Sequence, residues 1–231
     1  MLKIVKGRRE GFCYSIYIRH VRIYLPFLLV ILGLSACRTE EDGCPAIWSL
    51  NKSELPVYAT ADSGQIVLTA WHPVSSNVIE LNQVGLNGDF ELDLSLDSLQ
   101  WDSLVSPQFR FEVFNAEDPN ADVCGVAINP LVAYCYVGSG PENRDMRLIS
   151  AFSGILSIRR TNGSIICTST LGDVSFQYSD TLNNNEMGVR LILGSTQSST
   201  GKTEAWLGSF NITSANANTR VKRDDFDCES W

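Results

Sequence analysis

The chain has 231 residues, room for one sizeable domain or two small ones. Its 26 acidic residues outnumber 18 basic ones, for a formal charge of −8. Such a polyanion disfavours nucleic acid and anionic lipid surfaces, and no basic patch with interleaved aromatics offsets it. With two histidines in the whole chain, a histidine-rich metal site is also disfavoured.

The first predicted element is a label. A basic start (Lys3, Lys6, Arg8, Arg9, Arg19, Arg22) precedes the apolar run Leu25–Leu34. That run covers ten residues, where a spanning helix needs roughly 20. Arg22 before it and Arg38 after it prevent its extension. The order predicts a secretory signal over residues 1–36. The motif Leu34-Ser35-Ala36-Cys37 resembles the bacterial lipoprotein box. This resemblance implies acylation of Cys37 and membrane anchoring, each buried CH₂ contributing about 0.8 kcal/mol. Ordinary cleavage after Ala36, or a buried cysteine, is the alternative. The acidic cluster Glu40, Glu41 and Asp42 is similar to the surface-export signal of Bacteroidetes lipoproteins. It implies an outer-membrane, cell-surface location. The periplasmic face is the alternative, with the cluster a plain solvated tether. Residues 1–36 carry six basic side chains against one acidic, so their removal takes the charge from −8 to −13. Residues 37–55 are expected to be the lipidated N-terminus and tether, and 56–231 a single domain.

Beyond Gly43 the pattern is one of short runs rich in β-branched and aromatic residues, broken by Gly, Asn, Asp, Pro and Ser. Strands are predicted at Gln65–Trp71, Phe90–Leu96, Phe109–Phe114, Val123–Ile128 and Leu131–Val137. They continue at Ile155–Arg160, Ser164–Ser169, Val174–Tyr178, Val189–Leu193 and Glu204–Thr213. In "FELDLSLD" Leu92, Leu94 and Leu96 take one face and Glu91, Asp93, Ser95 and Asp97 the other. Asn162-Gly163 between alternating runs is the clearest hairpin turn, and Gly172-Asp173 offers another. The tail from 214 is polar and irregular, with Cys228 and Trp231 as possible anchors to the body.

Besides Cys37, five cysteines follow residue 36: Cys44, Cys124, Cys135, Cys167 and Cys228. An extracytoplasmic setting permits disulfides, and an odd number leaves one thiol over. Cys124 and Cys135 make the best pair, opposite each other if a hairpin turns at Asn129-Pro130. Proline opposes that turn, since the second position usually wants φ > 0. No C-x-x-C spacing supports zinc or redox chemistry.

Ten or so strands with regular turns predict an all-β, antiparallel β-sandwich. The order "SGILSIRRTNGSIICTSTLGDVSFQYSD…MGVRLILGS…EAWLGSFNIT" resembles the second half of concanavalin-like jelly-roll domains of bacterial surface proteins. Their Gly-x-Leu-x-Ile-x-Arg strand is matched by Gly154, Leu156, Ile158 and Arg160, and "GDFELDLSL" resembles their opening strand. The match departs at two points. Gly172-Asp173 replaces the Gly-aromatic turn, and "LGSFNI" stands at the closing motif. An immunoglobulin-like sandwich is the alternative fold.

Jelly-roll glycosidases of the laminarinase type carry E-x-D-x(x)-E on a concave strand. Glu91 and Asp93 match the first two positions, but Ser95 or Leu96 holds the acid position and Asp97 lies one step on. The plain reading is a solvated strand face. Asp118, Asn120 and Asp122 have alternate oxygen ligands suited to Ca²⁺, but Val123 stands where glycine should follow, and Asp-Pro-Asn turns without metal. "GSTQSSTGKT" lacks the glycine and the helix of a phosphate loop. His72 lies at a strand end with no nucleophile motif elsewhere. Flat rings stack on sugar faces, so Trp101, Trp206 and Tyr178 are the leading ligand candidates, with Trp71, Tyr134 and Tyr136 behind them. Asp97-Ser98-Leu99, Asp102-Ser103-Leu104 and Asp180-Thr181-Leu182 resemble the Bacteroidetes O-glycosylation pattern. The expectation is a membrane-anchored extracytoplasmic lipoprotein that binds glycan or an envelope protein without catalysis. A laminarinase-like hydrolase and an assembly subunit of an envelope complex are the alternatives.

Overall fold

The computed structural model describes residues 48–221, apart from 53–56, 63–64, 73–78, 103–104, 139–143, 183–184, 196–200 and the single positions 121 and 217. The chain divides into two compact units, Met1–Asp42 and Gly43–Trp231. The expected signal, the acidic cluster, Cys37, Cys44, Cys228 and Trp231 lie outside the described residues.

The described residues form strands and no helix. In chain order these are β1 (Ser49–Lys52), β2 (Val57–Asp62), β3 (Gln65–His72), β4 (Ile79–Leu86), β5 (Phe90–Trp101), β6 (Pro107–Asn115) and β7 (Cys124–Ile128). There follow β8 (Val132–Val137), β9 (Arg144–Leu148), β10 (Gly154–Thr161), β11 (Ser164–Leu171), β12 (Val174–Thr181), β13 (Met187–Ser195) and β14 (Gly201–Ser214). They make two antiparallel sheets. The first runs β1-β4-β13-β6-β7-β8-β9, the second β12-β11-β10-β5-β14-β3-β2. Two seven-stranded sheets exceed the seven to nine strands of an immunoglobulin-like sandwich, which removes that alternative.

Alternation builds the layers. β5 turns Phe90, Leu92, Leu94 and Leu96 inward, and β6 does the same with Phe109, Phe111 and Val113. Each such side chain stabilises the fold by roughly 1.5–3 kcal/mol on burial. The inward faces meet around Phe210, whose ring takes edge contacts from Trp48 at 5.4 Å and Phe111 at 6.4 Å. The Arg160 of the jelly-roll-like motif is fully buried. Its Nε donates to Gly88 O at 2.7 Å and its Nη1 to Asn185 O at 3.0 Å, and its guanidinium lies 4.8 Å from the centre of the Phe90 ring. It therefore ties two inter-strand connections to the end of the core.

Several expectations change. Trp48 is buried and β1 pairs with β4, so the sandwich begins inside the stretch 37–55 expected to be tether. β5 extends five residues past its predicted end, making Trp101 its last residue. The Asn162-Gly163 turn forms, with φ of 51° and 78° and Thr161 opposite Ser164, the left-handed geometry these two residues tolerate best. The β7–β8 hairpin turns at Pro130-Leu131, not at Asn129-Pro130. Asn129 N donates to Val132 O at 2.8 Å, which puts proline at the first turn position, where its fixed φ fits.

That shift corrects the disulfide. Cys124 now faces Val137 and Cys135 faces Val126, so the two are diagonal neighbours instead of partners. Both are buried free thiols, as is Cys167 of β11. Cys167 Sγ donates across the sandwich to Tyr136 O at 3.7 Å as well as to Tyr178 O at 3.6 Å. Burial pushes the Cys124 thiol well up, and the neighbouring Cys167 together with burial does so for Cys135.

Candidate functional site

The carboxylates singled out by sequence lie on the outward face of the second sheet. Glu91 and Asp97 are exposed and Asp93 is half-buried. Ser157 Oγ donates to Asp93 Oδ1 at 2.5 Å. Asp97 accepts from Gln65 Nε2 at 2.5 Å and from Ser95 Oγ at 2.9 Å. Asp97 is also the extra residue of a bulge: Trp206 faces Ser98 and Leu207 faces Leu96, leaving Asp97 unopposed. These acids follow one strand; Asp93 and Asp97 take neutral partners, and Glu91 stands opposite Arg159 of β10.

The aromatic candidates are dispersed. Trp101 packs edge-on against Phe152, with ring centres 4.8 Å apart. Tyr178 packs its ring against the core, and its carbonyl accepts from Cys167. Trp206 is half-buried on the outward face of β14, its Nε1 unpaired among the described residues. The would-be calcium residues are used as turn chemistry. Asn120 N donates to Asp118 Oδ1 at 3.1 Å, and Asp122, at φ 51°, accepts from Asn115 Nδ2 at 3.4 Å. Among the described residues no group of three His, Cys, Asp or Glu side chains is placed to hold a metal ion.

The described cleft with polar convergence opens instead on the outward face of the first sheet, with a volume of about 400 Å³. Register explains it. Arg190 faces Glu112, Glu112 faces Gly125, Gly125 faces Tyr136, and Tyr136 faces Arg144, one row across five strands. The next row sets Arg110 beside Ala127 and Ala127 beside Tyr134. β7 thus supplies small residues where its neighbours supply long ones, and the floor drops. A Cβ on Gly125 would stand 2.5 Å from Phe111 O and 2.8 Å from Glu112 Cγ.

Across that floor the side chains lock together. Glu112 is buried to 1 % exposure. Its Oε2 accepts from Arg190 Nε at 2.6 Å, and its Oε1 accepts from the Tyr136 hydroxyl and, at 3.5 Å, from Arg110 Nη1. Burial, then the Glu112 carboxylate, push the Tyr136 phenol well above its usual value. Gln108 Oε1 accepts from Arg110 Nε at 3.0 Å and Nη2 at 2.7 Å, while its Nε2 donates to Tyr134 OH at 3.2 Å. Arg144 lies 5.5 Å from the centre of the Tyr134 ring, and Tyr134 and Tyr136 are tilted ring neighbours at 5.5 Å. Asn120, Val123 and Gly138 close the rim.

Of the sequence candidates, this cleft brings in Tyr134, Tyr136 and Asn120. It leaves out Trp101, Trp206, Tyr178, Glu91, Asp93 and Asp97. Its charged members, Arg110, Glu112, Arg144 and Arg190, were not singled out in the sequence. The available signal was the outward phase of "QFRFEVF", where Gln108, Arg110 and Glu112 alternate with core residues.

No protein-family model matches the chain, and no curated protein matches it. Solved structures do. A legume lectin-like domain from Entamoeba histolytica superposes with a TM-score of 0.53 at 12% identity, covering 73% of this chain and 90% of that one. The CBM2 module of the evolved Dit of Lactobacillus casei BL23 phage J-1 gives 0.52 at 8% identity, covering 75% and 93%. A functionally unknown protein from Saccharomyces cerevisiae gives 0.50 at 8% identity, covering 74% and 98%. The likeness is one of fold: the body of this chain is an antiparallel sandwich of the lectin-like, jelly-roll kind.

Proposed function

We propose that the sandwich is a non-catalytic saccharide-binding module and that its site is the cleft on the first sheet. The observation that carries this reading is the convergence of two tyrosine rings with a hydrogen-bonding floor over a glycine- and alanine-lined strand. Rings take the apolar face of a sugar while the polar groups orient its hydroxyls. That similar folds include one called lectin-like and one called a CBM2 module supports it by analogy. Binding is favoured over hydrolysis because, among the described residues, the cleft lining holds one carboxylate, Glu112, with both oxygens engaged. Glycoside hydrolysis ordinarily needs two.

The module is carried outside the cytoplasm on a lipid at Cys37, at the outer membrane and facing the cell surface. The support for this is the Leu34-Ser35-Ala36-Cys37 motif and the acidic residues after it. A saccharide array probed with the purified chain tests the first part. Saccharide signal that disappears in Tyr134→Ala, with thermal stability retained, is the expected result; signal unchanged in Tyr134→Ala places the site elsewhere. Cys37→Ala tests the anchor: the variant should leave the membrane fraction, and its retention there overturns lipidation.

A further inference from the structure

The cleft has an asymmetry that its shape does not require. The carboxylate and the Gln108 amide oxygen of its floor are engaged, while most of its guanidinium donors are not. Both Glu112 oxygens and the Gln108 carbonyl already receive hydrogen bonds from within the cleft. Each guanidinium has five N–H donors and no acceptor. Among the described residues Arg110 spends three of these, Arg190 one, and Arg144 none. Tyr134 OH accepts from Gln108, so its own proton remains to be donated. Asn120 at the rim is the one lining side chain that retains an amide acceptor.

Charge points the same way. The described lining carries Arg110, Arg144 and Arg190 against Glu112, a formal excess of two positive charges on a chain of net −8. Among the described residues flanking the lining, Asp145 pairs with Arg147 at 2.6 Å and Asp118 caps Asn120 N. A neutral sugar hydroxyl both donates and accepts, and here it would meet many guanidinium donors against few acceptors, the Tyr136 hydroxyl oxygen and Asn120. An acid group only accepts, and guanidinium forks match it with paired, charge-assisted bonds.

We infer that the ligand of this cleft is an anionic saccharide, its acid group held by Arg144 and Arg110 with the Tyr134 hydroxyl. This rests on the saccharide-binding reading and narrows it. Arg190 and Glu112 are the fixed floor against which those donors are set; Arg190 is too committed to Glu112 to move with ligand.

The test is an array of neutral oligosaccharides, uronate oligosaccharides, the same uronates after carboxyl reduction, and sulfated oligosaccharides. It is probed with the purified full chain and with Arg144→Gln. The expected result is binding of acidic sugars that carboxyl reduction or added salt weakens. Arg144→Gln should weaken it by about tenfold or more, since one charge-assisted bond pair is lost. Uronate and sulfated arms identify which acid group is read, and either supports the inference. Equal binding of a uronate and its reduced form overturns the acidic reading and leaves saccharide binding standing. Acidic sugars bound equally by Arg144→Gln remove the site from this cleft. Binding of none overturns both readings. Arg144 is exposed and makes no ion pair among the described residues, so the variant tests recognition without unfolding the sandwich.

Discussion

On the outward face of the first sheet, charged side chains from three strands, β6, β9 and β13, meet over a floor of small residues, with Glu112 and Arg190 paired at depth. On the outward face of the second sheet, the acids of β5 follow one another along a single strand: Asp93 and Asp97 are met by serine or glutamine, and Glu91 stands opposite Arg159. Both faces arise from the same period-two alternation. What separates them is what the intervening strand contributes. β7 places Gly125 and Ala127 between long neighbours, so their heads converge. On the second sheet Ser157 stands opposite Asp93 and Arg159 opposite Glu91, so the acids stay paired along their strand. Paired patterns along one strand are therefore poor guides to a site, whereas a strand of small residues between two polar ones is a good one.

The contrast can be broken at several points. The largest effect is expected at the buried carboxylate. Glu112→Gln leaves Arg190 and Arg110 facing an uncharged amide, and should cost about 3–5 kcal/mol in urea unfolding. A loss below about 1 kcal/mol would mean the first face is no more committed than the second. Gly125→Ala comes next, because the added methyl meets the Phe111 carbonyl at 2.5 Å, backbone that cannot swing away. About 2–3 kcal/mol is expected from such crowding, with thermal melting as the measure. Were Gly125→Ala neutral, the floor would not depend on the missing side chain.

Tyr136 sharpens the comparison through pH. Its folded-state phenol is raised above the ordinary value of 10.0 by burial and by Glu112. The associated stability is whole below pH 10 and is lost as pH rises past it, because the unfolded chain then releases a proton that the folded one keeps. Unfolding midpoints measured between about pH 9 and 11 should fall more steeply for the native chain than for Tyr136→Phe. Parallel curves would contradict the buried Tyr136–Glu112 bond. On the second sheet the expected effects shrink. Asp93→Asn keeps an acceptor for Ser157 and should cost less than about 1 kcal/mol. Glu91→Gln, at an exposed position opposite Arg159, should leave both stability and saccharide binding within about 0.5 kcal/mol of the native chain. A loss of any glycan-cleaving activity in Glu91→Gln would restore the laminarinase-like alternative.

Much of the sandwich was legible along the chain because alternation is a local property. β5, β6, β10 and β11 carry it plainly, and β5 turns the predicted Leu92, Leu94 and Leu96 inward. β4 escaped notice although it is interior to its sheet: Asn82 and Gln83 interrupt its apolar run, and Gln83 is buried all the same. β9 escaped for the opposite reason. "RDMRL" reads as a charged loop, and it is an edge strand with Met146 and Leu148 exposed. The cysteine pairing failed on a shift of one residue in the turn, which moves every facing pair by two.

The sequence alone determined that this chain would alternate, turn at Asn162-Gly163, and bury its Phe and Leu rows between two antiparallel sheets. Those outcomes follow from periodicity, left-handed turn residues and the cost of exposed apolar surface, all of which act within a few residues. Tertiary structure alone decided that Arg190, Glu112, Tyr136 and Arg144 would share one row. Glu112 and Arg190 are 78 residues apart and Glu112 and Tyr136 24 apart. Their meeting depends on the order of strands in the sheet and on the register of each pair, quantities fixed by the whole core and by no single stretch of the chain.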